Sequence, residues 1–123
     1  MSLLHIHAFG RGQHFEVMPE EEEKDITEAM TEEAVSLVLL NLFSEAEVND
    51  VDVNFTDAEN GIRECFIQIE AECAFQSFTL LPCTKEYMEL AIGKCVWTIL
   101  KELFGPVTIE SVVVVPSYSE RRR

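Results

Sequence analysis

"VDVNFTDAENGIRECFIQIEA", residues 51–71, decides how the rest of the chain is read. Val51, Val53 and Phe55 alternate with Asp52, Asn54 and Thr56, the two-residue period of a strand with one apolar face. Asn60-Gly61 follows, a pair that accepts positive φ, and supplies the turn chemistry. Beyond it Cys65, Ile67, Ile69 and Ala71 alternate with Phe66, Gln68, Glu70 and Glu72. The spacing predicts a hairpin with one face for the core and one for water.

Upstream, residues 27–46 read as a helix, with Thr27 or Thr31 as its cap. From Ala34 to Phe43 that helix is apolar on almost every side, so it needs cover on more than one face or from another chain. The acidic run in "EVMPEEEEKD", residues 16–25, reads as a solvated loop leading into it. Earlier still, "SLLHIHAF" at residues 2–9 places Leu4, Ile6 and Ala8 on one side of a first strand, and "GRGQ" ends it.

Downstream, "CAFQSFTLL" at residues 73–81 shifts phase: either the second hairpin strand is long and bulged, or an extra short strand lies near 74–81. A second helix starts around Pro82 and Thr84 and stops at Gly105-Pro106. Its stripe is Met88, Ala91, Ile92, Cys95, Val96, Ile99, Leu100 and Leu103. "VTIESVVVVP", residues 107–116, is the last strand, and "SYSERRR" at 117–123 is a basic polar tail. Residues 1–116 thus form a single α+β domain of β-α-β-β-α-β order. That is the ferredoxin-like sandwich, a four-stranded antiparallel sheet with two helices on one face. Its sheet order runs fourth, first, third, second strand. The fold hosts many functions, so function must be argued from residues.

Nine basic against 23 acidic side chains give a net charge of −14. Phosphate binding needs clustered cations, so direct contact with nucleic acid or an anionic membrane is not expected. No apolar run reaches the length of about 18 residues that a membrane helix needs. The start "MSLLHIHAFG" lacks the basic and apolar regions of a signal peptide, so a cytoplasmic location is expected.

All three histidines fall in "HIHAFGRGQH", residues 5–14. His5 and His7 share the side of the first strand opposite Leu4, Ile6 and Ala8, hence the open face of the sheet. Neighbours are expected there from Phe66, Gln68 and Glu70 on one side, and from Glu110 and Val112 on the other. A metal site would use His5, His7, a carboxylate and His14. Cross-strand packing of histidine against carboxylate is the competing reading, and an interface with pH-sensitive imidazoles is another.

Cys65, Cys73, Cys83 and Cys95 show no C-x-x-C spacing, and free thiols are expected. Cys83, before the second helix, is the candidate reactive thiol, since a helix N-terminus favours the thiolate. Cys65 and Cys95 fall in apolar phases and read as core. "NDVDVNFTDAEN" lacks the calcium-loop pattern, and no nucleotide or cofactor motif is present. No cofactor is expected.

What remains is apolar surface. The nearly all-apolar first helix, together with Phe9, Phe66, Val112, Val114 and Trp97, exceeds what one such domain covers. The expected function is therefore a small acidic binding module that takes a protein or small-ligand partner and self-associates, as a dimer through the open sheet face or the edge of the last strand. The alternatives are a metal-binding protein or small enzyme built on His5 and His7, and an acidic mimic of nucleic-acid charge that binds a basic protein.

Overall fold

The hairpin read from residues 51–71 is present and extends at both ends: β2 spans Ala46–Asp57 and β3 spans Ile62–Cys73. The structure, a computed structural model, describes residues 2–13, 20–43, 45–57, 61–73 and 85–117. Asn60, the stretch 74–81, Pro82, Cys83, Thr84, His14 and the tail 118–123 lie outside the described residues. Gly61 leaves the turn with φ +75°, where a side chain would be strained. Across the hairpin Val51 faces Ile69, Val53 faces Ile67 and Phe55 faces Cys65, so the two apolar sets coincide.

The other elements are β1 (Ser2–Gln13), α1 (Glu20–Leu42), α2 (Lys85–Phe104) and β4 (Thr108–Ser117). All pairings are antiparallel and the sheet order is β2-β3-β1-β4, the arrangement of a ferredoxin-like sandwich. Both helices cover one face, α1 over β2 and α2 over β4, and they touch each other. Leu4, Ile6, Val53, Leu39, Ile92 and Leu100 are fully buried between the layers. Each such side chain stabilises the fold by roughly 1.5–3 kcal/mol through water removal. Helix α2 ends as expected: Gly105, at φ +95°, donates its N–H to the Lys101 carbonyl at 3.0 Å.

Helix α1 corrects the reading of residues 20–46. It starts at Glu20, so the acidic run is helix rather than loop, and it stops at Leu42, with Ala46 already in β2. Glutamates suit a helix's first turns by propensity and by charge at its positive end. Glu23 also has a structural task, described below. Thr27 and Thr31 are not caps but buried mid-helix residues. The Thr27 hydroxyl donates to the Glu23 carbonyl at 2.7 Å, and the buried Thr31 hydroxyl has no hydrogen-bond partner among the described residues.

Strand β4 corrects a phase. Ile6 faces Val114 and Ala8 faces Val112, which turns Val114 into the core and packs Val112 against it. Val113 and Val115 face outward instead, 42% and 44% exposed. The cause is a bulge: Phe9 faces Ser111 but Gly10 faces Ile109, leaving Glu110 as an extra residue. Uniform alternation from Ile109 would send Val113 and Val115 inward, and one inserted residue inverts everything after it.

Candidate functional site

The open face of the sheet is read rung by rung from the register. His5 lies between Glu70 of β3 and Val115 of β4, and β2 contributes Asp50 to the same rung. His7 lies between Gln68 and Val113, with Asp52 beyond. The β3 neighbours match expectation, whereas the β4 neighbours are Val113 and Val115 in place of Glu110 and Val112, because of the bulge. In the next rung Phe9 and Phe66 stack, their ring centroids 4.7 Å apart at 26°. Arg11 stands over Phe9, 5.6 Å from its centroid, and pairs with Glu64 at 2.8 Å.

This face therefore divides lengthwise. Phe9 of β1 and Val113 and Val115 of β4 make one side apolar, with Phe66 of β3 stacked beside Phe9; Asp50, Asp52, Glu70 and Glu72 make the β2–β3 side acidic. The two histidines stand at the boundary. A shallow cleft of about 380 Å³ there is lined by His5, His7, Asp50, Asp52, Gln68 and Glu70, among others. Among the described residues no group of three or more His, Cys, Asp or Glu side chains is placed to hold a metal ion.

Of the expected interface residues, Phe9 and Phe66 are brought together, while Val112 and Val114 belong to the helix side. Trp97 is on that side too, 40% exposed. Its indole N–H donates to the Val107 carbonyl at 3.1 Å, and the Lys101 ammonium stands 4.6 Å from its ring centroid. Cys65 is buried and its thiol is pushed up to about 12 by burial; burial also raises Cys95 to about 11. Neither is a thiolate at neutral pH.

Charge pairing on the helix side was not legible in the sequence. The Arg63 guanidinium makes two bonds to Glu23, at 2.9 and 3.0 Å, and a third from Nε to Asp57 at 3.0 Å. It also stands 5.0 Å over the Phe55 ring, tying the first turns of α1 to the hairpin. Two further glutamates act on the sheet edges. On β2, Glu28 accepts the Val53 N–H at 3.0 Å, and Lys24 donates to the Val53 carbonyl at 3.0 Å and to Asp52 at 3.1 Å. On β4, Glu89 accepts the Val114 N–H at 2.8 Å. The one sequence signal was a shared Lys-x-x-x-Glu spacing, 24–28 and 85–89, otherwise the mark of a solvated helix face.

Beside β4 the edge is open as a groove of about 720 Å³ between that strand and α2. Leu90, Trp97, Val107, Ile109 and Val112 give it apolar walls, while Glu86, Glu89, Lys94 and Glu110 bring charge to it.

No protein-family model and no curated protein sequence matches the chain. Among solved structures it is similar to the full extracellular region of zebrafish Gpr126/Adgrg6, with a TM-score of 0.51 and 8% identity over 92% of this chain. It is also similar to AtUAH in complex with (S)-hydroxyglycine, with a TM-score of 0.47 and 12% identity over 98% of this chain. The chain spans 13% of the first of these and 29% of the second. The first likeness is one of fold alone, and neither carries an activity across. Among the described residues no helix is long and apolar enough to cross a membrane.

Proposed function

We propose that this chain is an acidic cytoplasmic binding module that self-associates through the apolar half of its open sheet face. The observation that carries this reading is a set of exposed apolar side chains on one face of the sheet. Phe66, Val113 and Val115 are 40%, 42% and 44% exposed, with Phe9 stacked on Phe66 among them. They lie on the face that no helix of the described fold covers. Soluble domains rarely leave such clusters wet, and two copies related by a two-fold axis cover them reciprocally. An axis along the strands through the β1–β4 half also sets the acidic β2–β3 halves on opposite sides, which limits repulsion between chains of charge −14. His5 and His7 then sit at the rim of the contact.

The test is mass by light scattering at roughly tens of micromolar, where a dimer is expected. Val113→Glu puts a charge at the centre of the patch and should give a monomer with an unchanged circular dichroism spectrum. A monomeric wild-type chain under these conditions overturns the reading.

A further inference from the structure

We propose that the groove between α2 and β4 receives an extended, basic segment of a partner protein, which adds to β4 as a new edge strand. The site is separate from the open sheet face, because it lies on the helix side of the sheet edge.

Three features of the groove specify this occupant. The first is the backbone of β4. Strand β4 ends the sheet order, and its Val114 N–H points off the edge to Glu89. In an antiparallel strand alternate residues send N–H and C=O to the same side, so Val112 also points both groups outward. No bond from a described side chain reaches them, in contrast to Val53 on β2, where Glu28 and Lys24 take both groups. A strand laid beside Val112 satisfies them, between the bulge at Glu110 and Val114, whose N–H Glu89 already takes.

The second is the apolar wall. Leu90 is 61% and Trp97 40% exposed along the α2 side of the groove, facing the Ile109 and Val112 side. An added strand turns alternate side chains toward that wall, so its apolar residues must recur every second position. The third is charge. Glu86, Glu89 and Glu110 outnumber Lys94 along the groove, on a chain of net charge −14. A second copy of β4 would bring two such acidic rims together, whereas lysine or arginine at the intervening positions of a partner strand meets them favourably.

The experiment uses the whole chain and a labelled synthetic peptide alternating valine with lysine, read by fluorescence anisotropy. Binding is expected to be saturable and to weaken as salt rises. A peptide alternating valine with glutamate should bind at least about tenfold more weakly, which is about 1.4 kcal/mol. The double change Glu86→Lys with Glu110→Lys should cost the basic peptide a similar factor, with the fold intact by circular dichroism. Pairing is tested from the ligand side, so that folding of the protein is not at issue: N-methylation of the peptide amides that would face β4 should abolish binding. Val113→Glu, on the other face, should leave peptide affinity unchanged, so loss of the dimer and loss of this site are read separately. Equal binding of the acidic and basic peptides overturns the proposal, as does indifference to N-methylation. A peptide of this chain's own residues 117–123 that outcompetes the basic probe also overturns it, making the groove a site for its own tail.

Discussion

The two edges of the sheet are built on one plan and finished differently. Over β2, helix α1 carries Lys24 and Glu28, 3.5 Å apart; over β4, helix α2 carries Lys85 and Glu89, 4.0 Å apart. Each glutamate takes one outward N–H of the strand beneath it, Val53 in one case and Val114 in the other. Only Lys24 goes on to bond the strand, holding the Val53 carbonyl and Asp52. Strand β2 is further anchored by Arg63 to the buried Glu23, and its register breaks between Val48 and Asp50. Strand β4 has Glu89, a bulge at Glu110, and Pro116, which has no N–H to expose. Between them, at Val112, no described side chain takes the edge. An exposed edge is a template for another strand unless its polar groups are taken. The difference therefore separates an edge that is closed from one that can bind.

The comparison breaks most visibly at its strongest anchor. Arg63→Ala removes the guanidinium that makes two bonds to the buried Glu23 carboxylate, 1% exposed, and should destabilise the fold by about 3–5 kcal/mol in urea denaturation. Replacing both partners, Glu23→Leu with Arg63→Met, should recover most of that loss. A cost below about 1 kcal/mol for Arg63→Ala would mean that the β2 side is not held by this pair.

A smaller effect sharpens the comparison directly. Glu89→Ala removes the acceptor for the Val114 N–H, costing about 1 kcal/mol and speeding amide exchange at Val114 by about tenfold. Glu28→Ala should do less at Val53, where Lys24 still ties the same residue's carbonyl to α1. Equal or greater acceleration at Val53 would remove the distinction between the edges.

The smallest effect is one of pH. The Lys24 ammonium, and then the Asn54 amide, hold the Asp52 carboxyl below its ordinary value of 3.8. A lowered folded-state pKa stabilises the fold above the ordinary value, and that contribution disappears as pH falls through the folded one. Carboxyl titration by NMR should show Asp52 moving up toward 3.8 in Lys24→Met. Both side chains are close to half exposed, so the change in overall stability should be slight.

Much of this was open to a local reading. The hairpin followed from the alternation of Val51, Val53 and Phe55 with polar residues, and the α2 stripe followed from its spacing. The sheet order followed from the order of the elements. Residues 20–26 were misread because a run of glutamates has the same composition in a solvated loop as in a first helical turn. What distinguishes them is Arg63, forty positions away. Val112 and Val114 were misplaced for a different reason: "TIESVVVV" offers apolar residues in both phases, so nothing local says which pair is inside.

The sequence by itself determined the periods of its elements, the composition of its surface and, through connectivity, a four-stranded sheet under two helices. Backbone geometry imposes periods of two and 3.6 residues wherever a strand or helix forms, so those survive any tertiary context. The tertiary structure alone decided phase and pairing: the bulge at Glu110 that turns Val113 and Val115 outward, the bond from Arg63 to Glu23, and the unequal closure of the two edges. These depend on which distant backbone and side-chain groups come within about 3 Å of one another, a relation that no local window contains.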